Sequence, residues 1–292
     1  MRALFPLVSF LMCSSSSGFY PVPSTFACGG QLLPRRSCSG EHLCVRQASA
    51  HTSETSVGSH VAAASLRERG FAVIAEPIVD VELVAQARAL TQERLVRLLS
   101  EVQAAGCSAL DQQYRFKEIV HRQRNRWDLQ LLKYPLPSRA AETLSSERST
   151  LEQLSQAALS IASPIIKQAQ GALPDIDIEP LVVGAVVSRP GAGVQRFHCD
   201  VAQEFFASAK EDPSQRLYNL FMPLVDLSDC GDGTEFWPGP SLDDSLGLLA
   251  DHFLACETGA FPSPLKSEDL QAPACCAGGL VIFDYRTIHR CS

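Results

Sequence analysis

From residue 80 to about 105, apolar side chains recur at steps of three and four: Leu83, Ala87, Leu90, Val96, Leu99 and Val102, with one slip. That is the period of a helix burying one stripe. Asp80 is the expected N-cap and Gly106 the expected stop. A second stripe, Leu151, Leu154, Ala158 and Ile161, follows Ser149-Thr150-Leu151-Glu152, which has capping-box spacing. A helix is therefore predicted to start at Ser149 and to end or kink at Pro164. Elsewhere the apolar positions come as short runs bounded by turn residues, which predicts strands at Phe71–Ile74, Leu181–Val187, Leu217–Leu227 and, after the pair Gly278-Gly279, Leu280–Phe283. Helices come first and short strands follow Gly171. The expected fold is thus an α+β domain over residues 60–292 with an antiparallel barrel or jelly-roll core and flanking helices. Residues 241–277 are too irregular for strands and are expected to form a long insertion. No internal repeat is present.

The first 55 residues read as a leader. Arg2 precedes the apolar run from Ala3 to Cys13, and Ser14 to Ser17 and Gly18 follow, in the order of a charged region, a short hydrophobic region and a small-residue cleavage zone. From Phe19 to Ser53 the only acid is Glu41. The two parts together resemble the bipartite leaders of plastids of secondary origin, and a secretory signal fits the first part equally well. A disordered tail is the alternative. The expected localisation is a plastid-type organelle or the secretory route.

Composition narrows the class. The 46% hydrophobic and 20% charged content is that of an ordinary globular chain. A net charge of −7 argues against a nucleic-acid partner, whose phosphates need clustered Lys and Arg. No stretch reaches the roughly 18–20 apolar residues of a bilayer span. The 11 cysteines include no CxxC pair, so a zinc ribbon is not expected and most are read as reduced core residues.

The chemistry concentrates in Gln195-Arg196-Phe197-His198-Cys199-Asp200. Residues two apart in extended chain point to one side, so His198 and Asp200 can reach one metal. His289, just after the strand at Leu280, is the natural third donor of a two-His, one-carboxylate facial triad, the set that holds non-haem Fe(II) with open positions. Taken alone, a His-x-Asp with a distant His is as easily an incidental pair on a surface strand.

The surrounding blocks are more specific. Ser188 to Asp200 resembles the metal-binding region of phytanoyl-CoA dioxygenase-like proteins. Asn219-Leu220-Phe221-Met222-Pro223-Leu224-Val225-Asp226-Leu227 and Gly233-Thr234-Glu235-Phe236-Trp237-Pro238-Gly239-Pro240-Ser241 resemble that family's middle strands and turn. Gly278 to Arg290 is similar to its closing strand, and Arg126-Trp127-Asp128-Leu129 echoes an upstream element. The resemblance covers roughly residues 115–292. It implies a double-stranded β-helix (jelly-roll, cupin-like) core and an oxidoreductase: a dioxygenase using iron and 2-oxoglutarate. The reaction implied takes O₂ and 2-oxoglutarate, hydroxylates a small organic or lipid-like substrate, and releases succinate and CO₂. His198, Asp200 and His289 are the implied catalytic metal ligands. Asn219, Phe221 and Thr234 are expected in the co-substrate pocket, where ordinary strand packing is the competing account. The basic run Arg115, Lys117, Arg122, Arg124, Arg126 and Lys133 is a solvated face or a receiver for an anionic substrate.

Two departures qualify the resemblance. The turn lacks the His often found there. The family also holds the distal carboxylate of 2-oxoglutarate with an Arg about ten residues beyond the second His, whereas the sequence stops at Ser292. The last strand or strands of the core are therefore expected to be missing and 2-oxoglutarate to bind poorly; tight binding would instead make Arg196 or Arg286 the next anchor to test. A non-catalytic metal- or ligand-binding relative is the alternative, and a zinc hydrolase with the same ligands is weaker for want of a placed general base. Oligomeric state is not legible.

Overall fold

The structure, a computed structural model, describes residues 3–4, 6–13, 55–106, 113–134, 145–171, 177–195, 197–200, 216–228, 233–237 and 270–291. The elements in chain order are β1 (Ala3–Leu4), β2 (Pro6–Cys13), α1 (Thr55–Arg69), β3 (Phe71–Ile74), α2 (Val81–Ala104), β4 (Tyr114–Phe116), β5 (Ile119–Gln123), β6 (Arg126–Lys133), α3 (Ser145–Ala169), β7 (Asp177–Ile178), β8 (Val182–Ser188), β9 (Tyr218–Pro223), β10 (Thr234–Trp237), β11 (Leu280–Asp284) and β12 (Ile288–Cys291). This is an α+β architecture. An eight-stranded sheet runs β3-β11-β9-β2-β8-β6-β5-β4, and β10 pairs with β12 in a separate two-stranded sheet. Among the described residues the strands close no barrel. No described helix is long and apolar enough to cross a membrane.

Local chemistry explains most of the boundaries. Asp80 caps α2 as expected, its carboxylate accepting from the Glu82 N–H at 3.0 Å. Gly106 takes the positive φ of +72° that the helix end requires. α3 departs from the expectation at its start, and Pro164 does not end it. It starts at Ser145, so Ser149 lies inside it, and it runs through Pro164 to Ala169. Ile165 and Ile166, immediately after the proline, are buried in the main core. Burying such side chains contributes about 1.5–3 kcal/mol each, which offsets a helix-interior proline's cost of about 3 kcal/mol.

Strand alternation divides the large sheet into two faces. Trp127, Leu129 and Leu131 of β6, Val183, Ala185 and Val187 of β8, Leu220 and Met222 of β9, and Leu280 and Ile282 of β11 join the core formed with the three helices. The opposite face carries Phe71, Phe221, Val281 and Phe283, which pack with Phe236 and Cys291 of the small sheet. Phe71 stacks on Phe236 with centroids 4.5 Å apart, and Phe283 meets Phe236 edge-on at 5.1 Å. The candidate site opens on this second face. Gly278-Gly279 makes the predicted turn before β11. Gly278 has φ +81°, and a Cβ on Gly279 would stand 2.7 Å from both the Ile74 carbonyl oxygen and Cys275 Sγ, so no other residue fits. Cys199, Cys275, Cys276 and Cys291 form no disulfide, and Cys275 and Cys291 are buried.

Two parts of the fold were not foreseen. The basic run forms the meander β4–β5–β6, turned at Lys117 and Asn125, both of positive φ. Arg126 within it is fully buried, donating to Ser188 Oγ at 2.9 Å and to the Cys291 carbonyl at 3.2 Å. A solvated face describes Arg124 and Lys133 but not Arg126. Also, the backbone of Pro6–Cys13 lies between β8 and β9 and pairs parallel with both. The remaining leader residues, the Pro238–Ser241 turn, Arg196 and the insertion up to residue 269 lie outside the described residues.

Candidate metal centre

The segment carrying the His-x-Asp runs antiparallel to β12 and the turn before it. The Gln195 N–H donates to the Cys291 carbonyl (2.9 Å), His198 and His289 exchange N–H to O=C bonds, and the Asp200 N–H donates to the Tyr285 carbonyl (3.1 Å). His198 forms an isolated bridge with His289 rather than part of a longer strand. The two-residue spacing nevertheless brings both side chains to one side, as extended chain requires. His198 Nε2 lies 3.7 Å from Asp200 Oδ1, and His289 Nε2 lies 3.6 Å from Asp200 Oδ2. One donor atom from each of the three residues falls within 4.8 Å of the others. For ligand bonds of about 2.0–2.2 Å, neighbouring donors on one ion stand roughly 3 Å apart, so side-chain adjustments of about an ångström would close the three donors on a metal.

The three donors are oriented by different means. His289 is buried, with its ring 4.9 Å from Phe283 and 6.1 Å from Phe236. Its Nδ1 is 2.9 Å from the Thr287 carbonyl, a partner that only accepts, so Nδ1 carries the proton and Nε2 keeps its lone pair toward Asp200. The Asp200 carboxylate accepts from Asn219 Nδ2 at 2.5 Å. Among the described residues no Lys or Arg pairs with Asp200. The Asn219 amide donates to it, and the two imidazole nitrogens beside the carboxylate complete a donor set that suits a divalent cation.

A cavity of about 920 Å³ opens beside the triad. On the triad side Asn219, Phe221, Tyr285 and Gly184 line it, and on the far side the β4–β6 meander contributes Arg115, Lys117, Arg122 and Asp128. A Cβ on Gly184 would stand 2.8 Å from the Leu129 carbonyl, so the wall there is bare backbone. Lys117 and Arg122 are paired, with Glu101 at 2.6 Å and Asp128 at 2.5 Å. Burial pushes the Asp128 carboxyl above its ordinary range, against the Arg122 guanidinium, and the Asp200 charge adds to the rise. Burial likewise raises the Tyr285 phenol, with Asp200 contributing.

The expected pocket residues separate. Asn219 and Phe221 share the β9 face that meets the cavity. Thr234 is buried on β10, its Oγ1 3.6 Å from Cys291 Sγ, and borders a small void with Phe221 and Phe236. Arg286 is not available as an anchor. It is 2% exposed and bound through both Nε (2.9 Å) and Nη2 (2.7 Å) to Asp284, which also accepts from the Arg286 N–H. The cavity-lining residues Asp128, Gln130 and Tyr285 were missed by sequence reasoning. For Asp128 and Gln130 the signal was present in the alternation from Trp127 to Leu131, whose intervening residues must face the other way.

No protein-family model matches the chain, and no curated protein matches it. Among solved structures, the crystal structure of AviO1 from Streptomyces viridochromogenes Tue57 is a distant likeness, at 16% identity and a TM-score of 0.41, covering 79% of this chain and 85% of that one.

Proposed function

We propose that this chain is a non-haem Fe(II)- and 2-oxoglutarate-dependent dioxygenase of the phytanoyl-CoA dioxygenase-like kind, on a double-stranded β-helix core, acting on a small-molecule substrate with O₂. The observation that carries the reading is the convergence of His198, Asp200 and His289 on one point at the edge of a roomy cavity. A bound Fe(II) would supply the redox chemistry, with positions left open for 2-oxoglutarate and O₂. The chain's own part is to hold the donors and shape the space. Thr287 fixes the His289 tautomer through its carbonyl, Asn219 restrains the carboxylate, and Phe283 and Phe236 wall off His289 from solvent. For the distal carboxylate of 2-oxoglutarate the cavity offers Arg115, with Lys117 and Arg122 beside it held to Glu101 and Asp128.

A metal-binding relative without turnover is favoured by one observation, the sequestration of Arg286 by Asp284. The test is anaerobic loading with Fe(II) and 2-oxoglutarate, followed by O₂. The dioxygenase reading expects a visible charge-transfer band before O₂ and succinate after it, both lost in His198→Ala. Iron uptake with neither band nor succinate would instead establish the non-catalytic relative.

A further inference from the structure

We infer that Asn219 is a positioning residue for Asp200, holding its carboxylate in place between the two imidazoles. The inference deepens the metal reading above and rests on it. β9 is buried along its whole length, and around Asn219 it is built from Tyr218, Leu220, Phe221, Met222 and Pro223. An amide 1% exposed in such a strand calls for a reason. The amide's orientation is dictated by chemistry: an ionised carboxylate only accepts, so the nitrogen must face Asp200 Oδ2. That leaves Asn219 Oδ1 buried without a hydrogen-bond partner among the described residues. A buried acceptor left unpaired destabilises the fold. Leucine, nearly the same shape, would fill the position without that cost, so packing does not favour asparagine here.

What asparagine provides is the contact to Asp200. Asp200 lies in a bend outside any strand, its backbone tied by the bond to Tyr285. Its side chain would otherwise turn freely toward the cavity. With Oδ2 engaged by Asn219, one carboxylate oxygen stands near each imidazole, at 3.7 Å from His198 and 3.6 Å from His289. Outer partners of this kind govern ligand orientation and metal affinity.

Co(II), an air-stable probe for such a donor set, is titrated into the metal-free full-length protein and followed by calorimetry and by its d–d absorption. Asn219→Leu is expected to weaken Co(II) binding on the order of tenfold and to alter the band shape. The metal-free melting temperature should stay level or rise, because the unpaired acceptor is gone. In an Asp200→Ala background, Asn219→Leu should cost no further affinity, since the partner it acts through is absent. Unchanged affinity and spectrum in Asn219→Leu, or an equal loss with and without Asp200, would overturn the assignment. Should Asn219→Leu not fold, Asn219→Ala removes the same amide without added branching and is read by the same outcomes. If the wild-type chain takes up no Co(II), the metal reading itself fails, and this assignment falls with it.

Discussion

His198 and His289 exchange both of their main-chain hydrogen bonds, 2.9 Å from His198 N to His289 O and 3.0 Å in return. A pair bonded this way in an antiparallel ladder holds its Cα atoms about 5.5 Å apart with both side chains on one side. The two rings accordingly face each other with centroids 4.5 Å apart. The separation of the two nitrogen donors is thus set by backbone, before any ion binds. Asp200, in its bend, is held in addition by the Asn219 side chain.

The two histidines should respond differently to removal. A ligand at a strand end that lies outside the core is expected to leave the fold intact when it is removed. His198, with a side chain 37% exposed, fits that expectation; His289, at 4%, is packed against Phe283 and Phe236. Both alanine variants should abolish metal-dependent turnover. His289→Ala should in addition lose stability, by about 2–3 kcal/mol for the space left in a packed core. Denaturant unfolding of the metal-free variants checks this, and equal stability of the two would refute the packing role given to His289.

Asp284 and Arg286 form a fully buried ion pair in the turn that leads to His289. Removing one partner leaves an uncompensated buried charge, a loss of about 3–5 kcal/mol. Arg286→Met alone should therefore destabilise strongly, while Arg286→Met with Asp284→Leu should recover most of the loss. Were Arg286 instead an anchor for 2-oxoglutarate, Arg286→Met would weaken co-substrate binding and leave stability nearly untouched.

The backbone of Pro6–Cys13 fills the gap between β8 and β9, whose inward residues Gly184, Val186, Asn219 and Phe221 line the cavity. A leader cleaved on targeting could not serve as that strand, so the two readings make opposite forecasts for a chain starting near His60. If the strand belongs to the mature fold, the truncation opens two sheet edges and should aggregate. If the segment is a leader, the truncated chain should be soluble and bind Co(II) as the full-length protein does. Light scattering with metal titration separates the two.

Alkaline pH should destabilise the fold through groups buried in their neutral forms. Burial raises Tyr218 to about 12, with the Asp284 charge adding to it, and raises Cys275 to about 12. Folded pKa values above the unfolded ones mean that the native state holds more protons, so stability falls as pH rises. The loss begins above about 9 for the thiol and about 10 for the phenol, and continues to about 12. In that window each group removes about 1.4 kcal/mol per pH unit, while near pH 7 neither contributes an appreciable slope. Tyr218→Phe should flatten the fall above pH 10, as measured by urea midpoints across the range.

The sequence by itself determined the elements whose signal is local. The cap at Asp80, the Gly278-Gly279 turn and the apolar runs of β3, β8, β9 and β11 follow from side-chain chemistry over a few residues, and each stands close to where it was read, β9 ending at Pro223 rather than at Leu227. The His-x-Asp spacing likewise placed His198 and Asp200 on one side, because extended chain has a period of two. Other features depended on what each segment packs against. Pro164 stays inside α3 because Ile165 and Ile166 are buried beyond it, a gain that no helix-stop rule contains. The charges of residues 115–133 hid the alternation of β5 and β6, and Arg126 could be recognised as buried only once Ser188 and Cys291 were beside it. The company of Asn219, Arg286 and Asp200 was decided in the same way. Whether a polar side chain orients a ligand, neutralises a neighbour or faces a cavity depends on partners remote in the chain, brought close only when the sheets form.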